Sequence, residues 1–509
     1  MKIAIEGCCH GELDAIYSSL AQIEEVHKIK VDLLICCGDF QCVRDSNDLQ
    51  YLACPPKYRD LRDFPAYFRG EKEAPCLTVF VGGNHEAPSV LRELYYGGWV
   101  APKIFYLGHA GVINVGGVRI AGLSGIYKPK DFRKGYFEKP PYDEDTMRSA
   151  YHVREFEIAK LSELSGPVDV VATHDWPEGI YEFGDKAELL RCKPYLEKDI
   201  RDHELGNPHT MELLKKLKPA FWFAAHLHAR FAAVYVHPGP EGKATRFLAL
   251  DKVLPRRDFL QILDVDPRLP AGYVQELSPE RVPRHSPPAI CYDEEWLAIL
   301  RANQRAIPLG RALQKSSAAK GPSHEDLAAV KRNLDAADLP RRRLPRRPAL
   351  RLETHAGDTA TESGLGKSGR GATAGSATAA ARGERCGEER SHGAPGREGG
   401  ETETGAPEST RSGDTAGERK SGGEDAHEEW GFEWPNWEDP RAPYRDLKRQ
   451  RLFLLKVLGY GEVDDKFGDG LEPAVEDIDI SVDWSPANHA PPKTEEVDIC
   501  LDISDEETS

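Results

Sequence analysis

At 509 residues the chain exceeds one average domain, and with 30% charged against 40% hydrophobic residues and a mean hydropathy of -0.54 it is too polar to be globular throughout. Its 67 basic and 84 acidic residues leave a net charge of -17, which alone argues against nucleic acid as a partner, yet most of the acidic excess is concentrated in roughly the last eighty residues and the average says little about the front half. The 11 cysteines include the adjacent pairs Cys8-Cys9 and Cys36-Cys37 in or beside apolar runs, which excludes an ordinary disulfide framework and favours a reducing compartment.

The amino terminus opens on a strand pattern rather than the charged-then-apolar layout of a signal peptide, and no apolar stretch is long enough for a bilayer. The expectation is a soluble cytosolic or nuclear protein with no membrane partner. Residues 2–5 form an apolar run leading to Cys8 and His10, and residues 12–27 carry Leu13, Ile16, Tyr17, Leu20 and Ile23 at helical spacing. Residues 31–35 lead to Gly38-Asp39, and residues 77–81 lead to Gly83-Asn84-His85-Glu86. Continuous runs of this length fit strands buried on both faces.

Between residues 124 and 154 the periodicity lapses into a stretch that mixes cations with aromatic rings. Long loops of this kind tend to be functional, and a single-stranded nucleic acid needs rings for its bases and cations for its phosphates. Tyr127, Lys128, Arg133, Lys134 and Tyr136 are the candidate substrate contacts, against the plainer reading that the rings pack on the domain.

Helical spacing returns over residues 151–164, a fourth run at 168–172 leads to Thr173-His174, and Asn207-Pro208 reads as an N-cap and first helical position for a helix through Leu217. A fifth run, 221–225, leads to His226 and His228, and residues 231–236, 247–250 and 259–263 read as strands completing a second sheet. The expected class is α/β, a two-sheet sandwich flanked by helices over residues 1–264.

Residues 265–339 form a smaller helical unit, with helices expected at 293–306 and 325–337. Residues 340–429 hold a basic cluster, Arg341-Arg342-Arg343 and Arg346-Arg347, followed by a linker poor in large apolar groups that is expected to be disordered. An aromatic and helical island at 430–460 reads either as a terminal helix docked on the body or as a partner-binding segment, and residues 461–509 as an acidic disordered tail.

Five runs delivering polar residues at the same end suit an α/β fold, whose ligands gather beyond the carboxyl ends of its strands. The set is also chemically coherent. His10, His174, His226 and His228 offer neutral nitrogen, Asp39 a carboxylate able to bridge two cations, Asn84 a neutral oxygen and Cys8 a thiolate. Two such cations would form the clamp used in phosphoester hydrolysis. His85 then suits a proton donor to the leaving oxygen, with a helper that holds phosphate as the plainer alternative.

These residues resemble the calcineurin-like metallophosphoesterase superfamily, whose pattern runs Asp-x-His, Gly-Asp, Gly-Asn-His-Glu or -Asp, a later His, and Gly-His-x-His. Cys8 departs from it where aspartate is usual, and Ala225 where glycine is usual. Within the superfamily, Cys36-Cys37-Gly38-Asp39-Phe40-Gln41, His174-Asp175-Trp176-Pro177 and Leu254-Pro255-Arg256-Arg257-Asp258-Phe259-Leu260 resemble the members that act on branched intron RNA. That resemblance implies nuclear hydrolysis of the 2′,5′-phosphodiester at the branch point, with residues 124–154 matching the loop that recognises the lariat and 265–339 a small C-terminal domain. It also implies two divalent ions, one held by Cys8, His10, Asp39 and His228 and the other by Asp39, Asn84, His174 and His226, with Asn84 and His85 as catalytic residues. Fe2+, Zn2+ or Mn2+ are the expected metals, because a thiolate makes the first site soft. Lariat RNA would be the substrate, with splicing-related proteins as partners of the C-terminal region. The rival readings are a phosphoesterase acting on other nucleotides or on phosphoproteins, and an inactive adaptor with the same fold.

Overall fold

A strand buried on both faces must satisfy two environments with alternate side chains. The computed structural model shows this in Lys2–Glu6 (β1), where Ile3 and Ile5 enter one apolar layer and Ala4 the layer on the opposite face. The structure describes residues 1–240, 242–265, 289–313, 319–337 and 447–468, and the backbone alone of 341–344, 427–430 and 442–446.

The remaining strands, in chain order, are Leu33–Cys36 (β2), Leu77–Phe80 (β3), Gly98–Ala101 (β4), Ile104–Tyr106 (β5), Ala110–Val115 (β6), Val118–Leu123 (β7) and Val170–Thr173 (β8). They are followed by Phe221–Ala224 (β9), Phe231–Val236 (β10), Ala244–Ala249 (β11), Leu260–Asp264 (β12) and Ile290–Tyr292 (β13). One sheet has the order β12-β1-β2-β3-β5-β4, with β1, β2, β3 and β5 parallel. The other has the order β10-β11-β9-β8-β7-β6-β13, with β7, β8, β9 and β11 parallel. Ile3, Ile5, Ile35 and Val79 from the first meet Ile120, Val170, Phe221 and Phe223 from the second. Each fully buried side chain of this size contributes about 1.5–3 kcal/mol, and a one-residue slip of any strand would turn its set away from the shared layer. The other faces are covered by helices, among them Leu13–His27, which buries Leu13, Ile16, Tyr17 and Leu20.

Several expectations are corrected. β12 does not extend the second sheet: it pairs antiparallel with β1 at the edge of the first, from Lys2 opposite Asp264 to Glu6 opposite Leu260. The helix expected over 151–164 is confined to Glu155–Ser162. Residues 124–154 are not bare loop, since Pro129–Phe132 and Glu144–Ser149 are helical. The small C-terminal unit packs on the second sheet. β13 pairs with β6, and the helices Glu294–Asn303 and His324–Ala336 bury Trp296, Leu300, Val330 and Leu334 in the layer outside the second sheet. Within the basic cluster, Arg341–Leu344 pairs as a strand with His427–Trp430.

Within the island, the helix Ala442–Val457 docks on the body. Leu447, Leu454, Leu455 and Val457 are buried, Gln450 brackets the Trp99 backbone by accepting from its N–H at 2.7 Å and donating to its carbonyl at 3.1 Å, and Phe467 stacks on Tyr95 with ring centroids 4.1 Å apart. Trp434 and Trp437 and the acidic tail beyond residue 468 lie outside the described residues. Among the described residues no helix is long and apolar enough to cross a membrane.

Candidate metal centre

The carboxyl ends of β1, β2, β3, β8 and β9 converge, and the residues that follow them fill the space between. Four of these residues, His10, Asp39, His226 and His228, have positive φ, at 47°, 45°, 65° and 49°. A left-handed non-glycine residue costs about 1–2 kcal/mol, and such strain gathers at functional sites. Two glycines make the crowding possible. A Cβ on Gly38 would lie 2.2 Å from the His174 ring, and one on Gly83 would lie 2.2 Å from Asp39 Oδ1.

The donor atoms of Cys8, His10, Asp39 and His228 all lie within 4.8 Å of one another. His10 Nε2 is 3.2 Å from His228 Nε2 and 3.6 Å from Asp39 Oδ2. The other Asp39 oxygen faces a second group: Oδ1 is 3.2 Å from His174 Nε2, which is itself 3.1 Å from Asn84 Oδ1, and the His226 ring centroid lies 5.0 Å from that of His174. Asp39 therefore stands between two clusters with one oxygen toward each.

Electrostatics favour cations there. Burial opposes ionisation of Asp39, but the imidazoles of His174, His85 and His10 around it hold its carboxyl well below the usual range. Burial pushes His10 and His226 down to about 3 and His228 to about 2, so these rings stay neutral with nitrogen lone pairs to offer. Burial likewise pushes the Cys8 thiol well up, with Asp39 adding to it, and its sulfur accepts the His226 N–H at 3.1 Å. A thiol in that state gives up its proton when a cation takes its place. An anionic oxygen, neutral nitrogens and a displaceable thiol proton fit divalent metal.

His85 is placed by a bend rather than a strand. Its N–H donates to Asp39 Oδ1 at 2.9 Å and its half-buried ring lies 5.1 Å from His10, so adjacent Asn84 and His85 both reach the site.

Residues 1–230 match the Calcineurin-like phosphoesterase family and 242–343 match the family described as Lariat debranching enzyme, C-terminal domain. The Lariat debranching enzyme of Arabidopsis thaliana is 48% identical over 335 residues, which cover 66% of this chain and 76% of the relative. The chain belongs to the lariat debranching enzyme family. Lariat debranching enzyme A of Xenopus laevis and the enzyme of Danio rerio are each 52% identical, over 307 and 305 residues, covering 60% and 59% of this chain. The matched stretch spans 55% and 51% of those two proteins, about half of each. Membership of a metallophosphoesterase family implies divalent metal ions, in keeping with the donor set.

In this lariat debranching enzyme family member the expected substrate contacts divide. Tyr136 cannot stack a base, because it is 4% exposed and its hydroxyl donates to buried Glu157 at 2.9 Å. Lys134 is engaged with Asp131 at 2.6 Å and mostly covered. Arg133 stays half exposed, 4.0 Å from Glu155, while Lys128 and Tyr127 remain beside the site, where the Tyr127 N–H donates to Asp175 at 2.9 Å. The plainer reading of the loop therefore holds for Tyr136 and Lys134.

Composition missed Glu86. Its carboxylate, 1% exposed, accepts from the backbone N–H groups of Phe40 at 2.7 Å, Cys42 at 3.0 Å and Gly83 at 3.1 Å, tying the Asp39 turn to the Asn84-His85 turn. Its place in Gly-Asn-His-Glu was the available signal.

Proposed function

We propose that this chain hydrolyses the 2′,5′-phosphodiester at the branch point of excised lariat intron RNA, in the nucleus. The observation that carries the hydrolytic part is Asp39 presenting one oxygen to each of two donor clusters beside a half-buried imidazole. The lariat part rests on relatives named for debranching. Cys8, His10, Asp39 and His228 would hold one ion and Asp39, Asn84, His174 and His226 another. Divalent ions bound there supply Lewis acidity at the phosphoryl oxygens and lower the pKa of water. Cys8 favours Fe2+ or Zn2+, with Mn2+ as the harder alternative.

The protein's own part is positioning and proton transfer. Asp39 fixes the His85 backbone, which sets the ring to give a proton to the departing 2′-oxygen and leave a 5′-phosphate. Lys128 and Arg133 face the RNA from residues 124–154.

The test is incubation of anaerobically purified protein with synthetic 2′,5′-branched RNA, linear RNA and a small aryl phosphodiester, with and without chelator. Chelator-sensitive cleavage confined to the 2′,5′ linkage supports the proposal. An intact branch, or linear RNA cut at the same rate, refutes it in favour of a broader phosphoesterase or an adaptor.

A further inference from the structure

The segment Lys252-Val253-Leu254-Pro255-Arg256-Arg257 follows β11 and takes no part in the chemistry above. It is nevertheless fastened to the metal centre. The Cys8 N–H donates to the Asp251 carbonyl and the Val253 N–H to the Cys8 carbonyl, each at 3.3 Å, so Lys252 is carried directly beside Cys8. Lys252 is half-buried and Arg256 exposed, and among the described residues neither side chain has an ion-pair partner. Arg257 keeps a long pairing of 3.3 Å with Asp251 and is 40% exposed. Cations without acidic partners at the rim of such a centre are the elements of a contact with RNA phosphates.

Position makes this more than a basic patch. Lys252 is paired through the backbone with Cys8 of the first cluster, whereas residues 124–154 enter beside the second, where the Gly125 N–H donates to the Gly82 carbonyl at 2.8 Å and the Tyr127 N–H to Asp175 at 2.9 Å, close in the chain to Asn84 and His174. The two segments approach the centre from the sides of its two clusters. A linear strand crossing the centre needs one entry and one exit, while a branch nucleotide has a third arm to place.

We propose that Lys252 and Arg256 form a second RNA-binding edge that holds the phosphates of the arm leaving the centre away from residues 124–154. This rests on the branched-RNA reading and adds to it that discrimination of a branch comes from two edges rather than from the loop alone.

Binding in chelator, where no turnover occurs, is measured by fluorescence anisotropy for Lys252→Ala, Arg256→Ala and the double variant. The probes are a three-armed branched RNA and the same branch trimmed to its bare trinucleotide. The double variant is expected to bind the three-armed RNA about tenfold more weakly at low salt, with a log-log salt slope shallower by roughly 1.4 for two lost phosphate contacts, and to lose several-fold less on the trimmed branch. Lys252→Arg restores binding. Equal losses on both probes, or an unchanged salt slope, overturn the edge. If Lys252→Ala fails to fold, Arg256→Ala carries the test alone, since its side chain is exposed. Cleavage of the 2′,5′ linkage by wild type is scored separately. Cleavage without an arm-dependent binding loss refutes only the edge, and an arm-dependent loss without 2′,5′ cleavage refutes only the debranching reading.

Discussion

Replacing Glu86 by Gln tests whether the two turns carrying Asp39 and Asn84-His85 are held together by one carboxylate. Oε1 takes the N–H groups of Phe40 and Gly83, and Oε2 takes that of Cys42. A glutamine keeps an oxygen for only one of these positions and sets an amide N–H against a buried backbone donor at the other. An unsatisfied buried donor costs about 1–3 kcal/mol, before the lost charge assistance is counted. In a body of more than 300 residues that lowers the melting temperature by roughly 1.5–4 °C. Burial pushes Glu86 up to about 7 against the pull of its three donors, so melts belong at about pH 8, where wild type carries the anion. Scanning calorimetry in chelator separates this effect from metal loading. A variant melting within about a degree of wild type would refute the reasoning, whatever its activity.

Tyr136→Phe removes a buried hydroxyl from Glu157 and should cost about 1–2 kcal/mol in denaturant melts with branched-RNA affinity unchanged, whereas a loss of affinity at full stability would mean that the ring meets bases. Burial pushes His109 and His152 from 6.5 down to about 4, so between those values the unfolded chain takes up protons that the folded chain refuses. Stability is therefore complete above about pH 6.5 and falls toward pH 4, by up to about 3 kcal/mol for each shift of roughly 2.5 units, and His152→Gln should flatten the acid limb of the melting curve; identical limbs would count against this. Gln450→Ala removes the side-chain bonds to the Trp99 N–H and carbonyl in a buried contact, and hydrogen exchange at Trp99 should rise at least tenfold, a change that an independently folded tail would not produce.

The strands and the site were legible in the sequence for one reason. Strands buried on both faces are continuous apolar runs, and where such runs lie parallel their tips fall at one end, so Cys8, His10, Asp39, Asn84, His174, His226 and His228 could be grouped before any contact was known. The edges were not legible. Whether residues 260–264 extend the first or the second sheet depends on pairing with β1 far away in the chain, and an apolar run carries no mark of its partner. Nor does composition say which way an aromatic faces. Tyr136 and Lys134 look like RNA contacts because they stand among cations, yet Glu157 and Asp131, which claim them, look like ordinary surface acids. Glu86 escaped because its partners are backbone groups, which leave no trace in residue type.

The backing of residues 124–154 comes from late in the chain. Gly135 and Tyr136 donate their N–H groups to the carbonyls of Gly310 and Pro308, each at 2.9 Å, and Phe467 stacks on Tyr95, against which Tyr136 also packs. A growing polypeptide that has only just passed β12 already contains every residue of the candidate metal centre, but not the pieces that seat residues 124–154. Seating of residues 124–154 thus waits on synthesis of the carboxyl-terminal portion, and a chain ending before residue 308 would hold all the residues of the candidate metal centre yet lack the backing of that segment.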